Sequence, residues 1–274
     1  GTELEVYARN TRNIYDVAVS PEMNLFTRDN TNDGGGWNVR LSHIMQTGDY
    51  GYPRLYKNFS EDMVQPLADY GGGSPTGSLF IDEPALPDEY AYGLYTCDWG
   101  RNVIYRHPLT KDGASFKAEQ HEFVKLSRPT DMDIDPFGNI YITSWKGGQF
   151  AYKGDNVGYV VRVVPNDEFS AKSTLNFREG TPDQLVYAMR SGSHVQRLHA
   201  QQEIVRRGDM SVVDGLEKLV RDERSIAVRV AALYTLKQVA GAKSHMFLLK
   251  CIADKPLREH ALRALADRKG QSDE

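Results

Sequence analysis

The hydrophobic positions of the chain follow two different periods. Residues 1–165 contain short β-type runs separated by Gly, Asp, Asn and Pro, and this pattern predicts short strands. Residues 183–268 place apolar residues three or four positions apart, which predicts helices. Residues 166–182 between them are polar and without a period, so they are predicted to be a linker. The sequence therefore predicts a mainly β domain over 1–165 followed by an α-helical domain over 183–270.

The β-rich half repeats itself. The segment YDVAVSPEMNLFTRDN (15–30) aligns with TDMDIDPFGNIYITSW (130–145), and GLYTCDW (93–99) matches the later part of both. A second β-run follows each copy, namely WNVRLSHI, NVIYRHPL and GYVVRVVP. Each unit predicts strand, turn, strand, long loop and strand, which is typical of propeller blades. We expect about three blades of a ring that usually has about four to eight. The missing blades either precede this chain in a longer protein, which we favour, or come from another copy of the chain.

The helical half divides into about three helix pairs, which break at glycine and proline. Gly208 and Gly241 fall where C-caps belong. The segment SIAVRVAALYTLKQVA has the charged and then apolar pattern of the second helix in stacked helical arrays. This half resembles HEAT repeats, whose stacked helices normally offer a protein-binding face. A protein partner is therefore expected on the helical repeats.

Composition excludes several classes of function. The net charge of −4 and the pI near 6.0 give no reason to expect binding to nucleic acid or anionic lipid. No apolar run approaches the roughly 18 residues of a membrane span. Cys97 and Cys251 are the only cysteines, so they form no disulfide framework, CxxC pair or haem attachment motif.

The segment TRDNTNDGGGWNVRLSHIMQTGDYGYP carries the first candidate site. Asp29, Thr31 and Asp33 begin like an EF-hand loop. The last ligand position of such a loop would be Arg40 instead of a glutamate, which excludes an EF-hand. Two alternatives stay open. One is a looser calcium site built from loop oxygens, and the other is a loop that needs Asn and Gly for backbone reasons.

Other motifs favour structural interpretations. GGGSPTG lacks the second Gly of a nucleophile elbow and the Lys of a phosphate-binding loop, so an inter-strand loop is predicted. Asp131, Asp133 and Asp135 alternate along one strand and share a face. That face either lines a central channel or, as we favour, carries hydrogen-bonded structural aspartates. His43 and His107 lie beside the outer β-runs, where surface roles are expected.

Arg12 and Asn13 immediately precede the inner strand of the first repeat unit. Both side chains could therefore point into a funnel on the top face. An arginine there suits a bidentate grip on a carboxylate or quinone oxygen. The alternative is a surface arginine that pairs with a neighbouring aspartate.

These residues together resemble a known family. TRNIYDVAVSPEMNLFTRDN followed by GDYGYP is similar to the Arg-Asn, inner strand, loop and Gly-x-Tyr-Gly-Trp-Pro sequence of the soluble quinoprotein glucose and aldose sugar dehydrogenases. Those proteins are six-bladed propellers that bind pyrroloquinoline quinone (PQQ) with calcium. The closer similarity is to large planctomycete-type membrane-bound dehydrogenases, which join such a propeller to HEAT repeats and often to a cytochrome c domain. Near-signatures of that group are NLFTRDNTNDGGGWNVRL, GYPRLYKNF, LYTCDWGRNVIYRHP and RPTDMDIDPFGNIYITSWKG.

The resemblance implies a cofactor site on the top face. Arg12 and Asn13 fall on the quinone-contacting Arg-Asn pair, and Arg128 falls on a further quinone-contacting arginine. Asn30 and Thr31 fall where two backbone carbonyls hold the calcium ion.

Other positions depart from the family pattern. Thr130 replaces a second arginine of the family. Gly100 and Arg101 stand where the activating lysine of the family is expected. Arg101 is the candidate substitute, although its side chain would reach the cofactor differently from a lysine. The general-base histidine of the family belongs to an earlier blade. No catalytic residue is therefore assigned in this chain, and the isolated chain is expected to be inactive.

The resemblance thus implies the C-terminal part of a partial six-bladed propeller from a quinoprotein-like sugar or alcohol dehydrogenase. It also implies a periplasmic or extracytoplasmic location, with haem only in a fused domain outside this chain. The alternative is a non-catalytic propeller that binds carbohydrate or protein and uses the HEAT surface for docking. The altered lysine and arginine positions favour this alternative, whereas Arg12, Asn13 and Arg128 favour the oxidoreductase.

Overall fold

A computed structural model shows the architecture of the chain, and the chain separates into two compact units. The first contains Gly1–Ile81 and Leu86–Glu168, and the second contains Asp82–Ala85 and Phe169–Glu274. Asp33 and most of the predicted linker lie outside the described residues. The structure describes residues 4–31, 38–55, 58–146, 155–165 and 176–271.

The described part of the first unit contains three antiparallel sheets and one side hairpin. Sheet 1 runs in the order β1 (Ala18–Val19), β2 (Leu25–Asn30), β3 (Val39–Ile44) and β4 (Ala68–Asp69). Sheet 2 contains β5 (Pro75–Asp82), β6 (Tyr92–Asp98) after the single helical turn α1 (Asp88–Ala91), and β7 (Val103–His107). The side hairpin consists of β8 (Leu109–Asp112) and β9 (Ser115–Ala118). It precedes the last strand of sheet 2, β10 (His121–Lys125), which pairs with β7. Sheet 3 contains β11 (Pro129–Ile134), β12 (Ile140–Trp145) and β13 (Gly158–Val163).

Consecutive strands pair in every sheet, as the repeat predicts, and the first strands of the sheets lie side by side. The backbone N–H of Ser78 in β5 donates to Asp16 Oδ2, just before β1, at 2.8 Å. A Cβ atom on Gly77 would lie 2.6 Å from the Cα atom of Asp131 in β11, so glycine is required at this approach. The first strands of the three sheets are therefore adjacent, as is expected of neighbouring propeller blades.

Sheets 1 and 2 enclose a small apolar core and a buried ion pair. The core contains Phe26, Leu41, Phe80 and Leu94. Beside it, Arg28 Nη2 lies 3.2 Å from Asp98 Oδ2, and both side chains are almost completely buried. Each sheet therefore contributes one charge to the interface.

The expected surface roles of His43 and His107 are wrong. His107 is fully buried and His43 is 8% exposed. His43 Nδ1 lies 3.2 Å from Ser115 Oγ in the β8–β9 hairpin. His107 Nδ1 lies 3.1 Å from the carbonyl oxygen of Glu119, just after the same hairpin. The hairpin and the residues after it therefore cover strands that the repeat pattern places at the outside.

The favoured structural interpretation of Asp131, Asp133 and Asp135 agrees with their hydrogen bonds. Asp135 Oδ1 accepts the backbone N–H groups of Phe137 and Asn139 and so caps the β11–β12 turn. Asp131 and Asp133 each accept the N–H of the following residue. Burial, followed by the nearby Asp16 and Asp133 carboxylates, raises the pKa of Asp131.

The second unit is helical. Its helices are α2 (Pro182–Ala188), α3 (His194–Arg207), α4 (Val213–Asp222), α5 (Ile226–Ala240), α6 (His245–Cys251) and α7 (Arg258–Ala266). Ser193 and Ser225 accept backbone N–H groups at the starts of α3 and α5. Gly208 and Gly241 end the same two helices with positive φ, as predicted.

Leucines from consecutive helices build the core of the second unit, with Leu216, Leu219, Leu233, Leu236 and Leu248 fully buried. The assignment of these helices to HEAT repeats stays a prediction. Within the described ranges, no helix combines the length and apolarity needed to cross a membrane.

Candidate functional site

The three sheets present one common edge. β2 and β6 end there, β3, β7 and β11 begin there, and β12 ends there. Arginine side chains join adjacent sheets along it. Arg101 Nη2 donates to the Tyr70 carbonyl at 3.2 Å, and Arg128 Nη1 donates to the Trp99 carbonyl at 2.9 Å. We call this the upper edge. It carries every sequence-predicted site residue, namely Arg12, Asn13, Asn30, Thr31, Arg101 and Arg128.

A buried carboxylate fixes the main chain of the Arg12–Asn13 pair. Asp29 is 1% exposed. Its Oδ2 accepts the N–H of Arg12 at 3.2 Å, and its Oδ1 accepts the N–H of Asn13 at 3.0 Å. Arg40 Nη2 lies 3.2 Å from Asp29 Oδ2 and balances the buried charge. Sequence reasoning considered Asp29 only as a calcium ligand and missed this role.

The Arg12 side chain turns towards the end of β2. Its Nη1 donates to the carbonyl oxygen of Asn30 at 3.4 Å, and its guanidinium lies 6.0 Å from the Tyr52 ring centroid. Arg12 is half-buried and Asn13 is exposed. The pair thus offers one cation and one amide at the upper edge.

The predicted calcium site at the Asn30 and Thr31 carbonyls stays a prediction. Asn30 and Thr31 are buried, and the Asn30 carbonyl already accepts a hydrogen bond from a guanidinium. A calcium ion on that oxygen would face the positive charge of Arg12, which opposes binding. Across the described ranges, no three His, Cys, Asp or Glu side chains are grouped to hold a metal ion.

Arg128 lies at the start of sheet 3 with strained backbone geometry. Its φ of +49° is uncommon for a non-glycine residue and costs roughly 1–2 kcal/mol. Its N–H donates to Asn102 Oδ1 at 3.0 Å, and its Nη1 donates to the Trp99 carbonyl at 2.9 Å. The guanidinium lies 4.0 Å from the Trp99 ring centroid, within the range of a cation–π contact. A cation and an aromatic face are therefore held together at the upper edge.

Arg101 is exposed beside Arg128 in the β6–β7 turn. Its N–H donates to Asp98 Oδ1 at 3.0 Å, and its Nη2 donates to the Tyr70 carbonyl at 3.2 Å. Thr130 instead lies with its hydroxyl 2.8 Å from that of Thr143, within sheet 3. Thr130, where the resemblance implies a second arginine, thus forms a cross-strand hydroxyl pair with Thr143.

No protein-family model matches the chain, and no curated protein sequence is similar to it at a significant level.

Two solved structures are similar to part of the chain. One is an oxidoreductase described as a glucose dehydrogenase from Thermus thermophilus, at 20% identity over 58% of this chain and 47% of the other, with a TM-score of 0.48. Another is the PQQ-bound aldose sugar dehydrogenase from Streptomyces coelicolor, at 16% identity over 57% of this chain and 44% of the other, with a TM-score of 0.45. This chain therefore matches less than half the length of either protein. Similarity of this degree assigns neither cofactor nor activity to the chain.

A buried polar network lies behind the Arg101 loop. His107 Nε2 is 2.8 Å from the hydroxyl of Thr96, which also accepts from Arg28 Nη1 at 3.1 Å. Burial and the positive charge of Arg28 hold the pKa of His107 well below 6.5. Burial raises the pKa of Tyr70 to about 12. His107 and Tyr70 are therefore neutral at pH 7, and the network supports the upper edge instead of supplying a proton there.

The upper edge has the chemistry of an anion-binding surface. Guanidinium groups match carboxylate oxygens geometrically. The guanidinium groups of Arg12, Arg101 and Arg128 therefore suit a ligand that carries carboxylates.

Proposed function

We propose that the upper edge binds PQQ or a closely similar planar polycarboxylate quinone. On this proposal the chain is part of a quinoprotein-like oxidoreductase that acts on sugars or alcohols outside the cytoplasm. The observation that carries the proposal is the common position of Arg12, Asn13 and Arg128 along one edge of three adjacent sheets, with Arg128 held over Trp99. Completion of the ring to six blades and stacking of the helices as HEAT repeats belong to the same proposal.

Each residue has a distinct part in binding. Arg12 and Arg128 supply positive charge from sheets 1 and 3, and Arg101 supplies it from sheet 2 between them. The exposed amide of Asn13 can donate to a quinone or carboxylate oxygen. A bound quinone would supply the oxidising power, whereas the chain would bind and orient it.

Equilibrium binding of PQQ to the chain tests the proposal. We expect saturable binding, observed by the change in quinone absorbance, and a loss of about tenfold or more in affinity for Arg12→Ala and for Arg128→Ala. Lys117→Ala is the matched control, because Lys117 is an exposed cation in the β8–β9 hairpin, away from the upper edge. The proposal is refuted if the wild type does not bind, or if both arginine variants bind as tightly as Lys117→Ala. Titrations with calcium and with EDTA show separately whether the ion contributes.

A second function is favoured by the helical unit. Met246, Leu249 and Leu262 on α6 and α7 are 69%, 50% and 49% exposed. A contiguous exposed apolar face is typical of a protein-binding surface. On this alternative the chain serves as a binding scaffold. The double variant Leu249→Ser/Leu262→Ser should then abolish association with a partner protein and leave the affinity for PQQ unchanged. Complete absence of PQQ binding together with such a loss would favour the scaffold over the oxidoreductase.

A further inference from the structure

One position of the repeat carries a side chain that anchors the upper edge in every sheet. Alignment of LFTRDN (25–30) with LYTCDW (94–99) places Asp29 opposite Asp98. The same alignment, extended to IYITSW (140–145), places Ser144 at the equivalent position. The three residues lie near the upper ends of β2, β6 and β12.

The two aspartates make contacts of the same kind. Asp29 and Asp98 are 1% and 0% exposed. Asp29 accepts the N–H groups of Arg12 and Asn13, whereas Asp98 Oδ1 accepts those of Ser74 at 2.9 Å and Arg101 at 3.0 Å. Each carboxylate also lies 3.2 Å from an arginine: Asp29 pairs with Arg40 of its own sheet, whereas Asp98 pairs with Arg28 of sheet 1. In both sheets, a buried and ion-paired carboxylate at this position therefore accepts two main-chain N–H groups.

Ser144 anchors the main chain of sheet 3 through a neutral hydroxyl group. It is 5% exposed, and its hydroxyl donates to the carbonyl oxygen of Ser127. Ser127 directly precedes Arg128. The side chain at this position therefore fixes the main chain at or next to each arginine of the upper edge: Arg12, Arg101 and Arg128.

We propose that Asp29, Asp98 and Ser144 are positioning residues of one composite anion site. They act through the main chain of the segments that present Arg12, Arg101 and Arg128, so the guanidinium groups are held in place before the ligand arrives. Such preorganisation improves affinity because less motion is lost on binding. This inference rests on the proposed quinone-binding function of the upper edge.

A double-mutant cycle separates positioning from general structural support. Asp29→Asn keeps the size of the side chain but loses the carboxylate, and we expect PQQ to bind about tenfold more weakly. If Asp29 acts through Arg12, the double variant Asp29→Asn/Arg12→Ala binds within about twofold of Arg12→Ala alone. Asp135→Asn is the matched control, because its carboxylate also accepts two backbone N–H groups but lies at the opposite edge of the sheets. Asp135→Asn should change the affinity for PQQ by less than about twofold.

Two results would overturn the inference. One is a folded Asp29→Asn protein that binds as tightly as the wild type, and the other is a double variant whose loss equals the product of the single losses. If Asp29→Asn does not fold, Ser144→Ala with Arg128→Ala provides the same cycle without removal of a charge.

Amide hydrogen exchange keeps the two proposals distinguishable. If the wild type does not bind PQQ, the quinone proposal fails, and positioning is then decided by the exchange of Arg12 and Asn13. Faster exchange at these two amides in Asp29→Asn, but not in Asp135→Asn, supports the positioning role. Unchanged exchange in Asp29→Asn overturns it.

Discussion

The buried ion pair between Arg28 and Asp98 permits a quantitative prediction about the first unit. Arg28 is 1% exposed and Asp98 is fully buried, so neither charge is solvated by water. Removal of one partner leaves the other charge buried and uncompensated. We therefore expect Arg28→Met and Asp98→Asn each to lower the free energy of unfolding by roughly 3–5 kcal/mol.

The double variant should be less damaging than the sum of the single variants. Burial is the largest influence on Arg28 and lowers its pKa, while the attraction of Asp98 opposes it and raises the pKa. For Arg28, burial therefore outweighs the attraction of Asp98. Because Arg28→Met/Asp98→Asn removes both charges, it recovers that desolvation cost, and we expect a coupling free energy of about 2 kcal/mol or more.

Urea unfolding followed by tryptophan fluorescence measures the effect in the appropriate unit. All three tryptophans of the chain lie in the first unit, so their fluorescence reports on the unit that contains the pair. Lys117→Met is the control, since the Lys117–Asp112 ion pair has a similar separation of 3.3 Å but its side chains are 76% and 56% exposed. An exposed pair contributes less than about 1 kcal/mol. Losses as small as the control, or strictly additive losses in the double variant, would refute the reasoning.

Three further predictions concern single positions. Because the folded chain holds His107 neutral with a pKa well below 6.5, the unfolded chain takes up a proton that the folded chain does not. The contribution of neutral His107 to the free energy of unfolding is complete above pH ~6.5 and is lost as the pH falls towards the folded pKa. His107→Gln should therefore flatten this part of the plot of melting temperature against pH. A plot that is unchanged in the variant would contradict the prediction. Gly77→Ala should lower the free energy of unfolding of the first unit in urea by about 1–3 kcal/mol, because the added Cβ would lie 2.4 Å from Asp131 Oδ1. An unchanged free energy of unfolding would mean that β5 and β11 are not in close contact. Leu236→Ala, in the fully buried core of the second unit, should cost about 2–5 kcal/mol by circular dichroism without changing tryptophan fluorescence, and a loss below about 1 kcal/mol would contradict that packing.

The sheets and helices follow from local patterns in the sequence. The repeat in the first half aligns the segments that become β2, β6 and β12. Because antiparallel neighbours need only short connections, each copy forms its sheet from consecutive strands. The positive φ angles of Gly208 and Gly241 likewise agree with the C-caps predicted from glycine alone.

The side hairpin shows why burial was harder to predict than strand position. NVIYRHPL appears as one β-run in the sequence, but β7 ends at His107 and β8 begins at Leu109. Pro108 separates them, and proline cannot donate the N–H that a continuous ladder requires. The sequence therefore contained a signal for the break. It contained none for the covering of His43 by Ser115, which is 72 residues away in the chain.

The site was only partly predictable for the same physical reason. The family resemblance assigns Arg12, Asn13 and Arg128 to one cofactor site, and that assignment stays a prediction. Alternation of residues along a strand does not show whether a charged side chain faces solvent or a neighbouring sheet. The buried position of Arg28 was therefore not evident from its own segment. The repeated aspartate in TRDN and TCDW was the signal that could have indicated Asp29 and Asp98.

The arrangement of charges links the stability of the first unit to its upper edge. A repeat that served packing alone could place apolar residues at the positions of Asp29 and Asp98, since replacement of buried ion pairs by apolar side chains often stabilises a protein. The structure instead pairs these aspartates with Arg40 and Arg28, and it directs their remaining oxygens to main-chain N–H groups of the upper edge. An apolar side chain could fill the same space, but it could not accept those N–H groups. The electrostatic cost of the two pairs is therefore best explained by the geometry that they impose on the Arg12 and Arg101 segments.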